Sequence, residues 1–339
     1  MKPTIYDVAK EAGVSIATVS KVINKTGRIS DKTKSKVEQV MEELHYQPSV
    51  VASALTGKQT YTIGMIIPDL ANPFFADVAR SVEDRASQLG YSMIICSTDN
   101  DIDKEATYIS LLHQKSVDGI IVASGVRTDK TLRQFIRQKI PVALISRDLP
   151  ALVVDAVLLD DFIGGYQATM HLLSLGHKKI VMISDDANYQ STKERVRGFK
   201  QAMEEAGLPF DENVIPACSY TIDGAKQAVA RLLDSSTDPP TAIFAYNDLL
   251  AIGAIQAARE RHLSIPDDLS IVGFDDTILA KIVDPPLTTI RQPIQEMGRQ
   301  IIDLLVEEIK QEKKGKRKVV ILPELVIRKS TGKPQLRKV

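Results

Sequence analysis

The chain has 339 residues, 44% of them hydrophobic and 25% charged, with 43 basic and 43 acidic side chains. That composition excludes a disordered or low-complexity protein, the length suggests two or three domains, and no apolar run reads as a signal peptide or reaches the roughly 18 residues that span a membrane, which points to a cytoplasmic protein. The zero net charge hides an asymmetry, with residues 1–60 at +3, residues 310–339 at +9 and the body between them at −12, as expected where only part of a chain meets a polyanion.

Residues 4–12 read as a helix: Thr4 suits the N-cap, and Ile5, Val8, Ala9 and Ala12 share one face. Gly13 breaks it and Val14 can fill the space between two helices. Ser15 then caps a second helix, 16–23, with Val19, Val22 and Ile23 inward. A third runs from a Ser30 cap through Val37, Val40, Met41 and Leu44. Two short helices joined through glycine and braced by a third make a helix-turn-helix, although a generic three-helix bundle fits the same spacing. The outward residues of the second helix, Ser15, Ile16, Ala17, Ser20 and Lys21, are mostly small or hydroxylated. Such residues let a backbone approach base edges, and Lys21 can reach guanine O6/N7.

Pro48 stops the third helix. Ser49 caps a short run of Val50, Val51, Ala52, Ala54 and Leu55 that Gly57 ends. That run is too short to be a stable helix alone in water, so it must fold against something. Here the residues resemble the lactose-repressor (LacI/GalR) transcriptional regulators. The likeness runs through TIYDVAKEAGVSIATVSKVIN, through the YxPSxxAxxL hinge and on to the end of the chain. It implies a homodimer reading a palindromic double-stranded DNA operator. It places DNA contacts at Thr4, Tyr6, Ser15, Ile16, Ala17, Thr18, Ser20, Lys21 and Asn24 of the head and Ser49, Ala52 and Leu55 of the hinge. Ile16, Ala17 and Lys21 take the base-reading positions, and two paired hinges would push Leu55 into the minor groove of bent DNA.

Beyond the hinge, continuous apolar strands alternate with helices. Strand Tyr61–Pro68 precedes a helix from Phe75 to Leu89, and Tyr91–Cys96 follows. Further strands fall at Gly119–Ala123, Pro141–Ile145, Val157–Leu159, Lys179–Ser184, Thr241–Ala245 and Ser270–Phe274, with a helix over Thr192–Ala206. The fold class expected is an all-α helix-turn-helix head plus α/β, with two doubly wound parallel-sheet lobes of periplasmic-binding-protein type. The resemblance divides the chain into a head (1–47), a hinge (48–60) and an effector-binding, dimerising body (61–339). The N-lobe takes about 61–160 and 292–322, the C-lobe about 161–291 and 323–330.

The loops after the strands supply the binding groups. Asp69, Asn72, Phe74 and Phe75 follow the first strand, Arg195 sits early in a helix, Asn247 follows a strand and Asp275 follows Gly273-Phe274. Aromatics with carboxylate, amide and guanidinium groups suit a polyhydroxylated ligand or small acid, while Asn247-Asp248 and Asp275 can equally cap helices. The resemblance places Phe74, Phe75, Arg195, Asn247 and Asp275 on effector positions. Where many relatives place an aspartate after Pro141–Ile145, this chain has Ser146 and then Arg147. An Arg147 facing the cleft would favour a sugar acid or phosphate. A phosphorylated carrier protein as co-repressor, and activation rather than repression, stay open.

No dinucleotide glycine loop, Walker loop, nucleophile elbow or HExxH supports an enzyme, and no metal site or cofactor is expected. Asp160-Asp161 and Asp275-Asp276 are neighbours whose side chains point oppositely on extended backbone. Gly176-His177 reads as a helix C-cap, and Cys96 and Cys218 as reduced thiols buried in strands. The run KQEKKGKRK reads as a solvated surface stretch. With no leucine heptad at the end, a dimer fits better than a tetramer. An exported binding protein sharing the lobes is disfavoured by the N-terminal 60 residues.

Overall fold

The structure, a computed structural model, describes residues 3–23, 27–46, 59–123, 129–184, 189–210, 218–235, 238–313 and 315–335. The chain divides into two units, Met1–Thr60 and Tyr61–Val339.

In the first unit, α1 (Ile5–Ala12), α2 (Ile16–Ile23) and α3 (Asp31–Glu43) pack around Val8, Ala9, Ala12, Val19, Val22, Val37 and Val40. The Thr4 amide and hydroxyl both donate to the Asp7 carboxylate, at 2.8 and 2.7 Å, which fastens the start of α1. Gly13 ends it at φ +65, a left-handed value that costs glycine nothing, and Val14 packs against the core. Ser15 Oγ accepts from the Thr18 amide at 3.2 Å, and Ser30 does the same for Thr33.

The second unit holds two sheets. The first is built from β1 (Thr62–Ile67), α4 (Pro73–Gln88), β2 (Ser92–Ser97), α5 (Ile102–Gln114), β3 (Gly119–Val122), α6 (Asp129–Arg137), β4 (Val142–Ile145) and β5 (Asp155–Leu159). The chain then crosses to α7 (Asp161–Ser174), β6 (Ile180–Ile183), α8 (Gln190–Glu205), α9 (Ile222–Ser235), β7 (Ala242–Ala245), α10 (Asp248–Arg259), β8 (Ser270–Asp275), α11 (Ile278–Ile282) and β9 (Thr288–Arg291). It returns through α12 (Ile294–Ile309), which packs on α4, β3, β4 and β5, and ends with β10 (Lys318–Ile321) in the first sheet and β11 (Glu324–Val326) in the second. The sheet orders are β10-β5-β4-β3-β1-β2 and β11-β9-β8-β7-β6. Strands β3, β4, β6 and β7 are buried throughout, because helices cover both faces of a parallel sheet.

Three expectations need correction. The second sheet is not wholly parallel: the chain turns back after Pro323, and β11 pairs antiparallel with β9. Cys96 is buried in β2, but Cys218 is half-buried outside any strand, its amide bonded to the Ser184 carbonyl. Gly176-His177 closes α7 as expected, the Gly176 and His177 amides donating to the Leu173 and Leu172 carbonyls at 2.9 and 3.2 Å. Gly176 makes that turn at φ +98, while the buried imidazole lies 2.9 Å from both the Thr241 hydroxyl and the Gly332 carbonyl. The run KQEKKGKRK is not simply solvated. Lys313 donates to the fully buried Asp155 at 2.5 Å, and Lys316, Arg317 and Lys318 pair with Glu308, Glu307 and Asp148. Asp155 and Asp148 come from elements distant in sequence, so local composition does not announce them.

Candidate functional site

The chain doubles back from β2 to β3 on the far side of β1, so the loops beyond the carboxyl ends of these strands splay apart and leave a crevice. The second sheet presents its own strand ends to the same space. Phe74 and Phe75 from α4, Ser146 beyond β4 and Leu159 of β5 line it on one side. Asp161, Ser191, Arg195, Tyr220, Tyr246 and Asp275 line it on the other, with Gln292 from the second crossing. The space between these residues amounts to about 350 Å³ when the open mouth is included.

Arg195 organises the wall on the second-sheet side. It projects from α8, is only 4% exposed, and donates from Nε to Asp161 Oδ1 at 2.8 Å and from Nη1 to the Tyr246 carbonyl at 2.6 Å. Its guanidinium lies 3.4 Å from the Phe274 ring centroid and 4.3 Å from that of Tyr246. Burial works against its charge, but Asp161 and then Tyr246 and Asp275 more than offset that, and its pKa rises. Asp161 is itself raised by burial, against the lowering pull of Arg195. Asp275 is raised well above the carboxylate range, first by burial, with Arg195 opposing and Asp248 adding to the rise. Gln292 Nε2 donates to Asp275 Oδ1 at 2.7 Å. Ser191 and Tyr246 join hydroxyls at 2.9 Å.

Of the residues expected here from the sequence, Phe74, Phe75, Ser146, Arg195 and Asp275 come together. Asp69, Asn72, Arg147 and Asn247 are not among the lining. Asp69 Oδ1 accepts from the Ala71 amide at 2.8 Å and shapes its own loop. Asn72 caps α4 by accepting from the Phe74 amide at 3.0 Å. Of the pair Ser146-Arg147 it is the serine, at φ +55, that reaches the cavity, so the condition for an acid-selective Arg147 is not met. Asn247 caps α10 through the Leu250 amide and donates to the Tyr220 hydroxyl at 2.7 Å, so it touches a lining residue rather than the space itself.

Sequence reasoning missed Asp161, Ser191, Tyr220, Tyr246 and Gln292. The two carboxylates of Asp160-Asp161 do diverge as expected, yet they open a helix rather than a loop. Asp160 caps α7 through the Ile163 amide at 3.0 Å, and Asp161 turns to Arg195. A carboxylate on the first turn of one helix facing an arginine on the first turns of the next was the available signal.

In the head, Tyr6 is 68% exposed, and Ser15, Ile16, Ala17 and Lys21 are exposed along α2, with Thr18 and Ser20 half-buried. Thr4, Ser15 and Thr18 already use polar groups within the head. Asn24, Ser49, Ala52 and Leu55 lie outside the described residues. Among the described residues no helix is long and apolar enough to cross a membrane, and no group of three or more His, Cys, Asp or Glu is placed to hold a metal ion.

Comparison with known proteins agrees at both ends of the chain. Residues 4–49 match the family of bacterial regulatory proteins, lacI family, and residues 60–329 match periplasmic binding proteins and the sugar binding domain of the LacI family. The HTH-type transcriptional regulator DegA of Bacillus subtilis (strain 168) is 52% identical over 335 residues, 98% of this chain and 99% of that protein. The lac repressor dimer bound to operator and the anti-inducer ONPF is similar at a TM-score of 0.85 and 28% identity, covering 98% of this chain and 100% of that one. The regulator CelR in its cellobiose complex follows at 0.75 and 30%, covering 97% and 99%.

Proposed function

The chain belongs to the lacI family of bacterial transcriptional regulators, and from that premise we propose that it is a homodimeric repressor whose operator affinity is set by a neutral, polyhydroxylated small molecule held between the two sheets. The observation that carries the DNA-binding half is the exposed face of α2, where small side chains and Lys21 stand on a helix braced from behind by α1 and α3. Thr4, Tyr6, Ser15, Thr18, Ser20 and Asn24 surround that face as backbone contacts, and Ser49, Ala52 and Leu55 serve as the minor-groove hinge. Exposed Ile278 and Ile282, one turn apart on α11, support burial against a second copy.

The choice of ligand class rests on the cavity. Its cation, Arg195, is engaged by Asp161 and the Tyr246 carbonyl, while Asp161 and Asp275 add two carboxyls. Those groups can exchange hydrogen bonds with hydroxyls, the engaged Arg195 is, among the described residues, the one cation of the lining and is already paired with Asp161, and the rings of Phe74, Phe75 and Tyr220 offer flat apolar faces. Cellobiose in the CelR complex belongs to the favoured class.

Selection of duplexes from a random pool, with and without cellobiose, D-ribose or D-glucuronate, tests both halves. The expected product is a two-fold symmetric consensus, with the melting temperature of the chain raised by a neutral sugar. Absence of any symmetric preference would overturn the operator reading, and stabilisation by the acid alone would overturn the ligand class.

A further inference from the structure

Asp275 presents its carboxylate to the cavity from an improbable backbone. It stands at φ +115 and Asp276 at φ +57, two successive residues with side chains in the left-handed half of conformational space. Such a turn persists only where its surroundings over-determine it. Asp276 is held on the far side by Arg291 Nε at 2.8 Å and by Arg328. The forward side is closed by a residue outside the cavity, Asp248, buried on the first turn of α10. Its Oδ2 accepts both the amide and the hydroxyl of Thr277 at 2.8 Å, and its Oδ1 accepts the Thr289 hydroxyl from β9 at 2.7 Å. Gly273 leaves it room: a Cβ there would lie 2.6 Å from Asp248 Oδ1.

We propose that Asp248 is a positioning residue for the ligand site, pinning the Asp275-Asp276-Thr277 turn so that the Asp275 carboxylate faces the cavity before any ligand arrives. A buried carboxylate on the first turn of a helix would need no such partners for capping alone, and Asn247 already caps α10. All three donors come instead from the segments flanking Asp275 and from the neighbouring strand. Asn247 and Asp248 thus divide the labour, one steadying Tyr220 and the other the turn. The inference rests on the reading of Asp275 as a ligand contact, and its test uses no ligand.

Hydrogen exchange measured by mass spectrometry on the full chain separates positioning from general support. In Asp248→Leu, which keeps the branched outline but has no acceptors, exchange across 275–278 is expected to rise about tenfold or more while α10 stays protected. Asp248→Asn is expected to restore protection to within about twofold, since an amide oxygen can accept both Thr277 bonds and its nitrogen can donate to Thr289. Thr277→Val, which keeps the carboxylate and removes one donor, serves if the leucine variant does not fold, and a rise confined to 275–278 is expected there too. Unchanged exchange at 275–278 in the variant that folds overturns the proposal, as does an increase spread evenly over α10 and the second sheet. Because no small molecule enters the measurement, a failed sugar panel and a failed positioning role give different results.

Discussion

Arg195 shows what one side chain settles. Its fork, its flatness and its permanent charge are all in use: one edge meets Asp161, another the Tyr246 carbonyl, and a face covers Phe274. Replacing it with alanine leaves the Asp161 carboxylate buried without its cation, so a loss of about 3–5 kcal/mol in urea unfolding is expected. A much smaller loss would show that Asp161 finds water instead. Lys21 stands at the other extreme, exposed on α2. Lys21→Ala is expected to leave stability unchanged and to cost about 1–3 kcal/mol at one base position of the operator. Equal losses on specific and random duplexes would assign it to the phosphates. At this scale the segments after apolar strands supply Phe74, Phe75, Arg195 and Asp275 to the cavity, but position after a strand does not by itself choose among their residues. It misled at Asp69 and Asn72, which occupy equally suitable loops but spend their polar atoms on shaping them. Gln292 was beyond reach, because its place depends on where the chain crosses from one sheet to the other.

Between elements, the closest approach in the second half of the body is α7 on α8. A Cβ at Gly198 would lie 2.2 Å from the Phe162 carbonyl oxygen, and one at Gly165 would lie 2.2 Å from that of Arg195. The contact sets the distance between the helices that carry Asp161 and Arg195. Gly198→Ala is expected to cost about 1–3 kcal/mol by equilibrium urea unfolding and to loosen that ion pair. A neutral substitution would mean that the helices can separate freely. A second joint ties the end of the chain to the second sheet. His177 donates from Nε2 to the Gly332 carbonyl and so accepts at Nδ1 from Thr241, while His171 meets Thr331 at 2.9 Å. Burial pushes both imidazoles below their ordinary pKa, with His177 adding to the effect on His171. The unfolded chain therefore takes up protons near pH 6.5 before the folded one, and stability is expected to fall as pH drops below about 6.5. His177→Gln should flatten that slope between pH 7.5 and 5, and an identical slope in both proteins would remove the histidines from the account. Strand and helix order was largely legible from alternating apolar runs. The antiparallel β11 was not, because nothing in Glu324–Val326 records the direction of its partner.

For the molecule as a whole, the charge pattern was legible in sign but not in consequence. The basic run near the end of the chain lies against acidic side chains of β5, α12 and the loop after β4, so it is matched inside the body. Among the described residues of the head, Lys10, Lys21, Arg28, Lys32 and Lys36 stand exposed toward a polyanion. The connectivity matters more. The chain passes between sheets after β5, after β9 and after β10, and β10 and β11 add the last strand to each sheet. A chain ending after Arg317 is therefore expected to lose cooperative unfolding of the body while the head, whose core is made from α1, α2 and α3 alone, resists proteolysis. Survival of a protected body fragment would contradict that.

This interleaving has a temporal side. During synthesis the three helices of the head leave the ribosome early and already hold every residue of their own core. The two sheets stay incomplete until the final segments emerge. Each newborn chain thus carries a folded three-helix head well before it carries finished sheets, and only the last strands to be translated close the second unit.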